Sequence, residues 1–126
     1  MTIRMIDGVK SIKQAQQESL MLREISNLFM QASADDSRLK MLTITRVSLS
    51  SDKSSCSVFF YTPGGFLQFK EHLEILKLYK PSLRAALAKS INSRYTPNLT
   101  FKYDEQYEKE EKMNKLMESL KEKGEL

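Results

Sequence analysis

The spacing of apolar residues alternates between the helical and the strand period along this chain, and the order of those changes restricts the fold more tightly than composition does. Between Ile12 and Ala34, Met21, Ile25, Leu28, Phe29 and Ala32 recur three and four residues apart, with Glu18, Arg23 and Asn27 elsewhere on the wheel. An amphipathic helix is expected there. Asp35-Asp36-Ser37 interrupts it, and Met41 to Ser50, rich in Thr, Ile and Val, reads as a strand. Ser51-Asp52-Lys53-Ser54 has turn chemistry, and Cys56, Val58 and Phe60 alternate with Ser57, Phe59 and Tyr61. The two runs therefore predict an antiparallel hairpin. In the first strand the apolar phase slips between Ile44 and Val47. One extra residue exchanges the faces of a strand, so a bulge is expected near Thr45 or Arg46.

Pro63-Gly64-Gly65 ends the hairpin, after which Phe66, Phe69, Leu73 and Leu76 fall on one helical face. Pro81 lacks an amide hydrogen and clashes with the preceding turn, while Leu83, Leu87, Ser90 and Ile91 carry a helical stripe beyond it. The expectation is a helix, a break at Tyr79-Lys80-Pro81, and a second helix whose first amides lie free to attract anions. Tyr95-Thr96-Pro97 stops that helix, and Leu99, Phe101 and Tyr103, alternating with Thr100 and Lys102, predict a third strand beside one of the first two. Beyond Asp104 the chain reads as a charged helix in which Met113, Leu116, Met117 and Leu120 supply a narrow apolar face, one that docks loosely or frays. Three strands with helices banked on one face make an α+β domain. The 126 residues, 40% of them hydrophobic, suffice for one core. The expected division is a flexible segment 1–11, a folded domain 12–104 and a charged helical tail 105–126.

Net charge is only +4, but it is unevenly placed. Residues 1–36 carry four basic and five acidic groups, residues 37–103 eleven basic against Asp52, Glu71 and Glu74, and residues 104–126 five basic and eight acidic. A cationic body between near-neutral and acidic ends suits a polyanion, whose counterions it displaces. No apolar run approaches the ~20 residues of a membrane helix, and the first residues lack a signal-peptide core, so a soluble cytoplasmic protein is expected. Cys56, the only cysteine, excludes an internal disulfide and reads as a buried strand residue.

An enzymatic role finds little support. His72, the sole histidine, lies among Lys70, Glu71 and Glu74 on a polar helix face and is expected to be exposed. Glu71 and Glu74 could share a metal with it, yet nothing else closes the site. Pro63-Gly64-Gly65 lacks the length and the Lys-Ser or Lys-Thr ending of a phosphate-cradling loop. No catalytic residue, metal or cofactor is expected.

Leu83-Arg84, followed by Arg94-Tyr95-Thr96-Pro97-Asn98-Leu99-Thr100-Phe101-Lys102-Tyr103-Asp104, resembles the Leu-Arg, Arg-x-x-Pro-x-Leu-x-Phe-x-x-Asp signature of the ribosome-binding factor A family. Leu22-Arg23-Glu24-Ile25, Asp36-Ser37-Arg38 and Leu42-Thr43-Ile44-Thr45-Arg46-Val47 with Ser50 and Asp52 add to the similarity, which covers most of the chain. The chain departs from the family at the bend, where Tyr79-Lys80-Pro81 stands in place of a small residue, any residue and glycine. It departs again before the first helix, where Arg4, Lys10 and Lys13 replace a richer set of arginines. The resemblance implies a type II KH-like fold that binds immature small-subunit rRNA and 30S particles and promotes late 16S rRNA processing. It also implies that the kinked helices and the neighbouring sheet face the RNA. A monomer without membrane or small-molecule partner is expected.

The residues that fit this role are Arg38, Arg46, Lys77, Lys80, Arg84, Lys89 and Arg94, each able to pair with phosphate oxygens. Lys40, Lys70 and Lys89 are explained as well by simple solvation, and Arg94 by a bridge to Asp104 or by capping its helix. Of the aromatics, Phe59, Tyr61 and Tyr103 are read chiefly as packing, whereas Tyr79 and Tyr95, at element ends, suit base stacking better. A competing reading is a protein-interaction module that recruits a partner through the second strand of the hairpin or the tail helix.

Overall fold

The computed structural model describes residues 12–91 and 96–124. Helix α1 (Ile12–Asp35) leads through a 3-10 turn (Ser37–Leu39) to strands β1 (Thr43–Leu49) and β2 (Ser55–Tyr61). Helix α2 (Gly65–Ile91), strand β3 (Asn98–Tyr103) and helix α3 (Glu105–Glu122) follow. Segment 1–11, expected to be flexible, lies outside the described residues. The sheet order is β1-β2-β3, with β1 antiparallel and β3 parallel to the central β2. Both edges of β2 are therefore paired, so the second strand of the hairpin offers no free edge to a partner. The expected bulge is present: Ile44 pairs with Phe60 and Arg46 with Phe59, which leaves Thr45 as the extra residue.

Strand alternation gives the sheet one buried face. Val47 and Leu49 of β1, Cys56, Val58 and Phe60 of β2, and Leu99, Phe101 and Tyr103 of β3 are buried against Ile25 and Phe29 of α1 and Phe69, Leu76, Leu83 and Leu87 of α2. Phe60 sits at the centre, its ring 5.4 Å from Phe29 and 5.6 Å from Phe101 in edge-on geometry and 6.1 Å from Phe69. Cys56 is buried, as its strand position predicts.

Helix α2 begins at Gly65, whose φ of +79° is costly for any residue with a Cβ. The Gly65 amide closes a turn onto the Thr62 carbonyl at 3.0 Å, and Gln68 reaches back to accept from the Gly64 amide at 2.8 Å and from the hydroxyl of buried Thr62. The helix then runs without interruption to Ile91, so the break at Tyr79-Lys80-Pro81 is not observed. The reason is energetic. Pro81, exposed, removes one backbone hydrogen bond at a cost of about 3 kcal/mol. Burying Leu83 and Leu87 beyond it returns about 1.5–3 kcal/mol each, and only a continued helix keeps them on the face of Phe69 and Leu76. Tyr79 also anchors the region, donating its phenolic O–H to Asp36 at 2.6 Å. His72 is half-buried rather than exposed, with Nδ1 2.8 Å from the Gln68 carbonyl oxygen.

Asp104 ties the end of β3 to the bulge and to α3. Its side chain, 3% exposed, accepts from Thr45 Oγ1 at 2.6 Å and Arg46 Nε at 3.0 Å, and caps α3 by accepting from the Tyr107 amide at 3.0 Å. The Tyr107 ring lies 4.8 Å from Tyr61, and Glu108 accepts from the Tyr103 hydroxyl at 2.9 Å, so the first turn of α3 is docked. Farther along, Met113, Leu116 and Met117 are exposed, and no residue of α3 is buried. Among the described residues no helix is long and apolar enough to cross a membrane, and no group of three metal-binding side chains occurs.

Burial pushes the Asp104 carboxyl up, but the hydrogen bonds from Thr45, Arg46 and the Tyr107 amide outweigh it and hold the pKa below the usual carboxylate value. A depressed folded-state pKa contributes stability that is complete above the unfolded value, about 3.9, and is lost as pH falls through the folded one. Asp104→Asn is thus expected to cost about 2 kcal/mol at neutral pH in denaturant titrations, with a difference that shrinks below about pH 4. Pro81→Ala, which restores an amide for the Lys77 carbonyl, is expected to raise stability by about 1–3 kcal/mol in thermal melts.

Candidate nucleic-acid interface

At about 100° per residue, Lys77, Lys80 and Arg84 fall within roughly 60° of arc on α2. That arc faces β3. Lys80 Nζ lies 5.3 Å from the centroid of Phe101, and the Arg84 guanidinium donates to the carbonyls of Pro97 at 3.2 Å and Thr96 at 3.0 Å. Arg84 thereby sets the spacing between α2 and the segment leading into β3, while its partners are neutral, so its charge still reaches an anion. Lys77 pairs with Glu74 at 3.2 Å, but both side chains are more than half exposed. Such a pair contributes at most about 1 kcal/mol and is readily exchanged for a phosphate. Lys70, which solvation explains from sequence as well as a phosphate contact does, lies seven positions before Lys77, close to two full turns, and extends the same flank. Its spacing from Lys77 and Arg84, at multiples of seven, is the signal that identifies it.

The other candidates divide by what already holds them. Arg38 makes a two-pronged pair with Asp36, Nε at 2.9 Å and Nη2 at 2.7 Å. Those hydrogen bonds, with that from Tyr79, hold the Asp36 carboxyl well below its usual range. Arg38 is thus committed to a cluster joining the 3-10 turn to α2, and its charge is locally cancelled. Arg46 lies over Phe59, 4.0 Å from the ring centroid, while bonded to Asp104, and remains about half exposed on the sheet face away from α1 and α2. Lys89 is nine residues from Lys80, about 180° around the helix, and does not join the flank. Arg94 lies outside the described residues, as does Tyr95.

Because α2 is continuous, no second helix starts at Pro81, and the anion site expected from its free amides is not formed. Tyr79 spends its hydroxyl on Asp36 and lies half-buried against the core, which removes it as a stacking platform. Tyr103 is buried. Phe59 and Tyr61 instead occupy the open face of the sheet, on alternate positions to the buried Val58 and Phe60.

Comparison with known proteins agrees with this architecture. The ribosome-binding factor A family profile matches residues 13–117. Ribosome-binding factor A of Coprothermobacter proteolyticus is 29% identical over 118 residues, covering 94% of this chain and 85% of the relative. The crystal structure of ribosome-binding factor A from Thermus thermophilus superposes with a TM-score of 0.61 at 29% identity, over 71% of this chain and 93% of that one. A Thermus thermophilus ribosome binding factor A homology model, fitted into the cryo-EM map of its complex with the 30S particle, superposes at 0.51 with 29% identity, over 73% and 91% of the two chains. A profile match spanning most of the chain and a shared α+β, KH-like arrangement place this chain in the ribosome-binding factor A family.

Proposed function

We propose that this chain is a cytoplasmic assembly factor of the small ribosomal subunit, which binds immature 16S rRNA in 30S particles and promotes its late processing and maturation by binding rather than by catalysis. The observation that carries the proposal is the alignment of Lys70, Lys77, Lys80 and Arg84 along the flank of α2 beside β3. A row of cations on a rigid helix tracks a phosphate backbone, because each phosphate neutralised releases condensed counterions. The Thermus relative fitted into a 30S complex supports the small subunit as the partner. With Pro81 inside an unbroken helix in place of the family's glycine bend, contact falls to side chains rather than to closely approaching backbone. Recognition of this kind favours RNA shape over base sequence. Release would follow when maturation moves the phosphates out of register with the row.

The exposed Met113, Leu116 and Met117 of α3 sustain the second reading, recruitment of a protein partner by the tail. Two variants separate the readings by cosedimentation with immature 30S particles. Lys77→Glu with Lys80→Glu, neither of which anchors backbone, is expected to abolish association at moderate salt while leaving the thermal midpoint unchanged. Neutralising the same two lysines as Lys77→Gln and Lys80→Gln is expected to lower the salt slope of log affinity by about 2. Truncation after Lys112, which keeps the docked first turn of α3 and removes the exposed Met113, Leu116 and Met117, is expected to leave association in place. Binding that survives the charge reversal but fails on truncation overturns the RNA assignment in favour of the tail.

A further inference from the structure

The face of the sheet turned away from α1 and α2 carries a pattern that core packing does not explain. Residues that pair laterally share a face, so Arg46, Phe59 and Lys102 form one row across β1, β2 and β3. Arg46 and Lys102 are the only charged residues in the three strands, both are cationic, and they bracket the one phenylalanine on that face. The Arg46 guanidinium carbon is 4.0 Å and the Lys102 ammonium 6.0 Å from the centre of the Phe59 ring. Asp104 Oδ2 holds Arg46 Nε at 3.0 Å, which fixes the guanidinium over the ring instead of leaving it to sweep through solvent. The next row, Ser48, Ser57 and Thr100, brings hydroxyls. At the opposite end, Tyr107 of α3 packs on Tyr61 and closes the face.

From this geometry we propose that the open sheet face is a second RNA site, one that takes a single-stranded segment separate from the backbone bound along α2. A nucleobase stacks on the Arg46–Phe59 pair, and Lys102 takes an adjoining phosphate. The hydroxyl row supplies hydrogen bonds toward the ribose. The stacked guanidinium and ring present a flat, polarizable surface that any base can cover, and the adjacent charge selects a polyanion. Duplex RNA fits poorly because its base faces are already stacked. A protein partner fits poorly too, since the row offers one aromatic ring and no aliphatic surface, with no acidic residue in any strand. The site rests on the reading of the chain as an RNA binder but not on the α2 flank.

The test is a titration of the full chain, its phenylalanine rings labelled with carbon-13 and its amides with nitrogen-15, with short oligouridylate. The Phe59 ring and the Lys102 amide are expected to shift, and Phe59→Leu to weaken binding about tenfold with an unchanged thermal midpoint. Lys102→Gln is expected to weaken binding by a smaller factor. The Lys77→Glu, Lys80→Glu protein keeps the Phe59 response. Shifts confined to the α2 flank, no shift at all, or oligouridylate affinity unaltered by Phe59→Leu overturns the site. Should the Phe59 response be absent while the parent chain still cosediments with 30S particles, the sheet site alone fails. If the response is present but the parent chain does not cosediment, the small-subunit proposal alone fails.

Discussion

Phe60, 1% exposed at the middle of the central strand, is the contact on which the arrangement depends. Its ring meets one aromatic from each of α1, α2 and β3, so a single side chain joins both helices to the sheet. Truncating a fully buried phenylalanine typically costs about 3–5 kcal/mol, a large part of the stability of a domain of this size. The same burial decides which residues face water. With Phe60 pointing to the helices, Phe59 and Tyr61 must point away, and Arg46 and Lys102 follow them through strand pairing. The bulge at Thr45 keeps both halves of β1 in phase with that choice, turning Arg46 outward and Val47 inward.

Much of this fold is legible in the sequence because strands and helices write their burial in different periods. Even the bulge shows, as a slip between Ile44 and Val47. Pro81 is where local reasoning overreached: the rule that proline ends helices weighs the backbone alone. Phe69, Leu76 and Leu83 are spaced by seven, about two helical turns, so the buried stripe stays in phase across the proline. A true break would have reset it. The candidate site residues are harder to read, since a basic side chain in a sequence does not declare its partner. Asp36, two residues from Arg38, could have signalled that pair. Nothing local links Arg46 to Asp104, which lies on another strand end and meets it only after the sheet has formed.

The cations therefore fall into two groups with different physical consequences. Arg38 and Arg46 bind carboxylates of their own chain, and those carboxylates in turn hold Tyr79 and α3 in place. Removing either arginine would disturb the fold along with any charge effect. Lys77, Lys80 and Arg84 meet no buried carboxylate. Arg84 combines both kinds of work, tying down Thr96 and Pro97 while keeping its charge, because carbonyl oxygens orient a guanidinium without neutralising it.

Parallel pairing of β2 with β3 has a consequence for a chain made from its N-terminus. The hairpin of β1 and β2 closes locally, but β3 reaches its place only after α2 has crossed over the sheet, so the strand pairing that completes the domain is also the one of longest loop closure. During synthesis, α2 emerges with its row of cations before the strand beside it exists, and Asp104 cannot yet hold the bulge or cap α3. The cationic flank and the outer sheet row both reach their final geometry only in that last docking step. A copy in which β3 has not yet docked therefore lacks the final geometry of both cationic surfaces, and that geometry dates from the pairing of β2 with β3 rather than from the appearance of the basic residues.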